Sequence, residues 1–169
     1  MTTLLEREIR EQADVLRSRR AGGAKQAARA ADLLRGEDVS YLLVAARGSS
    51  DNAARFGQYL LGLEAGLSVA LAAPWLFAAG RRAPRLGGAA VMGISQSGRS
   101  PDVVSVLAAA RAQGRPTIAV TNDAGSPLAA EAELTVELAA GPERSVAATK
   151  TYLASVSYTH LTLPTNSRV

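Results

Sequence analysis

From Met92 to Val104 the chain reads MGISQSGRSPDVV, which sets Ser95, Gln96, Ser97 and Ser100 around Gly98, between an apolar run and a Pro-Asp helix start. A second junction, RGSSD, places Ser49 and Ser50 behind Gly48. Small hydroxyls and glycine at a strand-to-helix turn suit the binding of an anion. The first helical turn has unpaired N–H groups and a partial positive charge. Serine hydroxyls add short donors that adapt by rotating, and glycine lets the backbone come close. Ser100-Pro101-Asp102 reads as a helix start, with Ser100 at the N-cap and Pro101 at N1. The same residues also serve turns and caps alone. A third junction, AAGPERSVAATK, carries Ser145 and Thr149 and reads equally as capping.

Two other chemistries fit less well. GISQSGRS, from Gly93 to Ser100, formally matches a P-loop with arginine in place of lysine, but Gly93 lies inside the apolar run and the phosphate-reaching lysine is missing. Gly93-Ile94-Ser95-Gln96-Ser97 hints at a nucleophile elbow, yet it lacks the second glycine. The single histidine, His160, falls in a tail without a core pattern, so no imidazole is expected to activate a serine. With no cysteine, a disulfide framework, a thiolate zinc site and a cysteine nucleophile are excluded. No cofactor and no metal are expected.

The elements that would position these loops follow from periodicity. Residues 3–20 fit an amphipathic helix, with Leu5, Ile9, Gln12 or Ala13 and Leu16 on one stripe. Gly22 and Gly23 break it, and a second helix is expected over about 25–35. Short apolar runs then alternate with helical stretches: YLLVAA (41–46), SVALAA (68–73), AAVMGI (89–94), PTIAVT (116–121) and ELTVEL (133–138). Continuous apolar runs suit strands buried on both faces. The expectation is an α/β fold, a three-layer doubly wound five-stranded parallel sheet in the order 2-1-3-4-5. In that order the first and third strands are neighbours at the switch point, where ligands bind outside the strand ends. Their loops are RGSSD and SQSGRS.

At 169 residues the chain has the length of one domain, with 47% hydrophobic and 20% charged residues. Aromatics are only 4%, pointing to close helix-on-sheet packing. The net charge of +4 comes from arginines interleaved with acids, as in LLEREIREQADVLRSRR. This reads as a solvated mixed-charge surface, so no nucleic-acid partner is expected. No apolar window reaches transmembrane length and no leader pattern opens the chain, so no membrane partner and a cytoplasmic location are expected.

Taken together, RGSSDNA, SQSGRSPD and GPERSVAATK resemble the three signature loops of the sugar isomerase (SIS) domain, in the right order. REIREQADVL resembles the N-terminal helix of bacterial proteins with two SIS domains, which are similar to the isomerase half of glutamine–fructose-6-phosphate aminotransferase. The resemblance implies a SIS-type fold and a phosphosugar site of the fructose-6-phosphate or glucosamine-6-phosphate type. It implies that Ser95, Gln96, Ser97 and Ser100 hold the phosphate with Ser50, and that Ser49 shapes the first loop. Val146 and Ala148 would approach the sugar through backbone groups; the family often has serine where Ala148 stands. Gly48 and Gly98 would serve geometry.

In the family the glutamate, histidine and lysine of the isomerisation lie in a second SIS domain or a partner subunit. No catalytic residue is therefore assigned, and a chain with one SIS domain is expected to bind without turnover. The absence of cysteine also excludes the glutamine-hydrolysing domain of the aminotransferases. The expected organisation is N-terminal helices over 1–36, a SIS domain over 37–157 and a non-native-looking or disordered tail over 158–169. That tail resembles translated adapter sequence, and the chain is expected to be the first half of a longer protein. The expected source is a hexose-phosphate aminotransferase, deaminase or isomerase. A sugar-phosphate-sensing module is the alternative, although no helix-turn-helix is evident. A homodimer is expected because the family builds sites at interfaces.

Overall fold

The computed structural model describes residues 3–36, 38–79, 82–144 and 149–161. The five apolar runs become β1 (Tyr41–Ala46), β2 (Val69–Leu71), β3 (Ala89–Ile94), β4 (Thr117–Thr121) and β5 (Leu134–Glu137). They form one parallel sheet in the order β2-β1-β3-β4-β5, as the sequence predicts. The helices are α1 (Leu4–Leu34), α2 (Ser49–Ala65), α3 (Trp75–Ala78), α4 (Pro101–Ala112), α5 (Pro127–Ala130) and α6 (Thr149–Leu161).

Side chains alternate across each strand, and both faces are covered, which is why the runs are apolar without interruption. Leu42, Val44, Met92, Ile94 and Val120 join α1, α2 and α6 in one core. Leu43, Val91 and Ala119 pack with Val103, Val106 and Leu107 of α4 and Leu128 of α5 in the other. Gly93 belongs to this second layer. A β-carbon there would lie 2.8 Å from Leu107 Cδ1 and 2.9 Å from Leu128 Cδ1, so this glycine permits close helix packing.

Two expectations about the helices are corrected. The N-terminal region is one helix, α1, that runs through Gly22 and Gly23. Each interior glycine costs only about 1 kcal/mol, and packing on the domain outweighs that: Gly23 is buried, and Ala27, Ala30 and Leu34 enter the core. A capping box at Thr3 and Glu6 starts the helix. The buried stripe also differs. Leu5 and Ile9 are 38% and 45% exposed, whereas Glu8 is buried. At the other end, α6 continues over residues 158–161, where a tail is expected from the sequence. Helix propagation adds one hydrogen bond per residue once a packed turn exists.

Burying Glu8 is compensated by a charge-assisted hydrogen bond, because its Oε1 accepts from the Arg144 amide at 2.7 Å. Glu11, a turn further on, accepts from Lys150 Nζ at 2.6 Å, and the same ammonium donates to the Pro142 carbonyl at 2.9 Å. Lys150 is 3% exposed, so its charge depends on these partners. Glu11→Ala strips the ammonium of its carboxylate and should lower stability by about 1–3 kcal/mol in a urea titration. Lys150→Met removes the buried charge itself and should cost less. Equal losses would show that the ion pair is not what fastens α1 here.

Candidate functional site

β1 and β3 pair in parallel from Tyr41↔Ala89 to Ala46↔Ile94, so the two strands end side by side. The chain leaves β1 through Arg47-Gly48 into α2 on one face of the sheet, and leaves β3 through residues 95–100 into α4 on the other. The two hydroxyl-rich loops therefore meet where the connections diverge.

Ser50 and Ser95 are buried, Gln96 and Ser100 half-buried, and Ser49 and Ser97 exposed. Ser100 occupies the N-cap position of α4 with Pro101 at N1, as the sequence predicts, but its hydroxyl makes no capping bond. It lies instead 3.2 Å from Ser95 Oγ. Ser97 Oγ accepts from the Arg99 amide at 3.3 Å. Among the described residues the hydroxyls of Ser49 and Ser50 have no hydrogen-bond partner. In the first turns the Asp51 amide donates to Gly48 O at 3.1 Å and the Val103 amide to Asp102 Oδ1 at 3.0 Å, and helix geometry leaves the amides of Ser49, Ser50 and Asp102 without intrahelical acceptors. The arrangement can present several hydroxyl and amide donors to one acceptor-rich group.

The second loop is held from the β4–α5 side. The Ser95 amide donates to Val120 O at 3.1 Å, continuing the sheet by one residue. Gln96 O accepts from the Asn122 amide at 3.0 Å and from Thr121 Oγ1 at 3.3 Å. Gly98 O accepts from the Leu128 amide at 3.1 Å. Gly98 has φ of +62°, and a β-carbon there would run into the Ser126 side chain and lie 2.9 Å from Thr121 Oγ1. Both backbone conformation and space thus call for glycine.

The third junction is fixed at its flanks. Glu143 Oε1 accepts from the Lys150 amide at 2.7 Å, and its Oε2 from Thr151 Oγ1 at 2.5 Å, so Glu143 caps the start of α6. Asn122 steadies the preceding turn, accepting from the Ala140 amide and donating to Gly141 O, both at 2.8 Å. Thr149 Oγ1 is buried without a hydrogen-bond partner. Ser145, Val146 and Ala148 lie outside the described residues. His160 lies on α6, and its side chain is outside the description.

Sequence reasoning passed over Glu8, Glu11, Glu143 and Lys150, and also the ion pair from Arg47 Nη1 to Asp102 Oδ2 at 2.6 Å, which crosses from the first loop to α4. The i, i+3 acids of REIREQ were the available signal for the first two. Among the described residues no group of three or more histidine, cysteine, aspartate or glutamate side chains is placed to hold a metal ion. Gly98→Ala should distort the second loop and lower stability by about 1–3 kcal/mol, read as a drop in the denaturant midpoint. An unchanged midpoint would mean that the loop relaxes around the added methyl group.

The SIS domain family matches residues 37–163. The crystal structure of a candidate phosphosugar isomerase from Silicibacter pomeroyi DSS-3 superposes with a TM-score of 0.88 at 38% identity, over 95% of this chain and 49% of that one. Glutamine–fructose-6-phosphate aminotransferase (isomerizing) from Halobacterium salinarum is 36% identical over 122 residues, which are 72% of this chain and 20% of the aminotransferase. The Vibrio vulnificus NanR protein, solved in complex with ManNAc-6P, shares the fold at 19% identity with a TM-score of 0.70, over 94% of this chain and 59% of NanR. The chain therefore spans a fifth of the length of the aminotransferase and about half of the Silicibacter structure. Both hydroxyl-rich loops and the flanks of the third lie inside the matched stretch, and the chain belongs to the SIS domain family.

Proposed function

We propose that residues 37–157 bind a phosphosugar of the fructose-6-phosphate or glucosamine-6-phosphate type, as part of a hexose-phosphate aminotransferase, deaminase or isomerase. The observation that carries this reading is the Ser100 hydroxyl, which sits at an N-cap without capping and turns to Ser95 Oγ at 3.2 Å. A hydroxyl kept from the helix and turned back across its own loop suits a ligand better than a structural cap does. In this reading Ser50, Ser95, Gln96, Ser97 and Ser100 take the phosphate, and Ser49 shapes the first loop. Val146 and Ala148 reach the sugar through backbone groups, a role that rests on the motif alone. The site itself needs no cofactor.

Moving a proton between sugar carbons needs an acid–base pair. We assign that pair to a second SIS domain, so that the present domain binds and orients the substrate. The organisation into an N-terminal helical arm over 1–36 and a SIS domain over 37–157 is part of the same proposal. So are a cytoplasmic location and a homodimer. No described helix is long and apolar enough to cross a membrane. Tyr59, Leu63 and Trp75, exposed at 72%, 81% and 70%, are apolar side chains that a partner protomer would cover.

The fold shared with NanR favours a second reading as a sugar-phosphate sensor. Conversion of glucosamine 6-phosphate when the chain is joined to a second SIS domain would separate the two, since a sensor releases its ligand unchanged. The phosphate site is tested by calorimetry with fructose 6-phosphate and glucosamine 6-phosphate on the Ser95→Ala/Ser97→Ala variant. Loss of two hydrogen bonds to a charged group should weaken binding by about tenfold or more. Unchanged affinity would discard the site.

A further inference from the structure

Three aspartates surround the two loops, and each has an arginine. Asp51 in the first turn of α2 pairs with Arg55 at 3.0 Å. Asp102 in the first turn of α4 pairs with Arg47 at 2.6 Å. Asp123, beyond β4, pairs with Arg99 at 3.2 Å. A carboxylate at a helix N-terminus favours the helix dipole, but it repels any other anion placed there. Asp102 raises this conflict most sharply, because it stands two residues past Ser100 and its side chain is only 20% exposed. Its Oδ1 accepts from the neighbouring Val103 amide at 3.0 Å, a bond that leaves its charge in place.

Arg47 resolves the conflict from the opposite side. It is the first residue after β1, and among the described residues its ion pair is the hydrogen-bonded link from the first loop to the start of α4. We propose that Arg47 is the counter-ion that cancels Asp102, and so makes the N-terminus of α4 hospitable to a phosphate dianion. The inference rests on the phosphate reading above and deepens it. Arg47 acts through Asp102 and is a positioning residue. Its side chain is 64% exposed, so its removal should disturb the fold little. A thermal melt then separates a binding effect from a stability effect.

The experiment measures affinity for fructose 6-phosphate and for inorganic phosphate by calorimetry in Arg47→Ala, Arg47→Gln, Asp102→Asn and the Arg47→Ala/Asp102→Asn double variant. Both Arg47 variants should bind about tenfold more weakly than the parent, with melting curves little changed and with a deficit that shrinks as ionic strength rises. Asp102→Asn alone should keep or improve affinity, and the double variant should recover to within about threefold of it. Arg47 variants that bind like the parent would overturn the proposal. A double variant as weak as Arg47→Ala would overturn it as well, since cancelling Asp102 would then not be what Arg47 does. The Ser95→Ala/Ser97→Ala variant serves as the control. If that variant binds normally, the phosphate site itself fails; if it binds weakly while Arg47→Ala binds normally, only the role of Arg47 fails.

Discussion

The parallel pairing of β1 with β3 is the contact on which the rest depends. Ala46 stands opposite Ile94, so both strands stop at the same level and release their loops into the same space. The helices that follow go to opposite faces, as at the switch point of an open parallel sheet. The pairing survives because both faces of the sheet are sealed. Leu42, Val44 and Met92 are covered on one side, and Leu43 and Val91 on the other. Gly93, in the middle of β3, lets Leu107 and Leu128 approach closely enough to close that second side.

The two loops at this point are held differently. The second is braced by bonds with Val120, Thr121, Asn122 and Leu128, which hold the backbone at Ser95, Gln96 and Gly98. The first loop leans on the opening turn of α2, and on the ion pair that carries Arg47 across to Asp102. In a basic chain this arrangement keeps arginines close to the loops while each nearby aspartate stays compensated.

The N-terminal helix is more than a cover for the sheet. Glu8 reaches the segment between β5 and α6 at the Arg144 amide, and Glu11 the first turn of α6 at the Lys150 ammonium. Glu143 closes the first turn of α6 from within the same segment. Carboxylates on two sides thus anchor the flanks of the third signature loop. Polar groups this buried endure only when their partners are in place, which couples the docking of α1 to the geometry of the connection.

The sheet was legible in the sequence because strands buried on both faces must be apolar throughout, and YLLVAA and AAVMGI could hardly be read otherwise. The strand order followed from the switch-point pattern of a doubly wound parallel sheet. The two hydroxyl loops were legible as places from their glycine and serine content, although the same residues also serve turns and caps. Tertiary structure alone decided what those hydroxyls do. That the Ser100 hydroxyl turns to Ser95 Oγ at 3.2 Å rather than capping α4 follows the course of the loop, which bonds from Thr121, Asn122 and Leu128 hold. The continuity of α1 through Gly22 and Gly23, and the burial of Glu8 in place of Ile9, were likewise decided by packing. A helical wheel records which residues share a face, but a buried carboxylate is understood only once its donor, 136 residues away, is known.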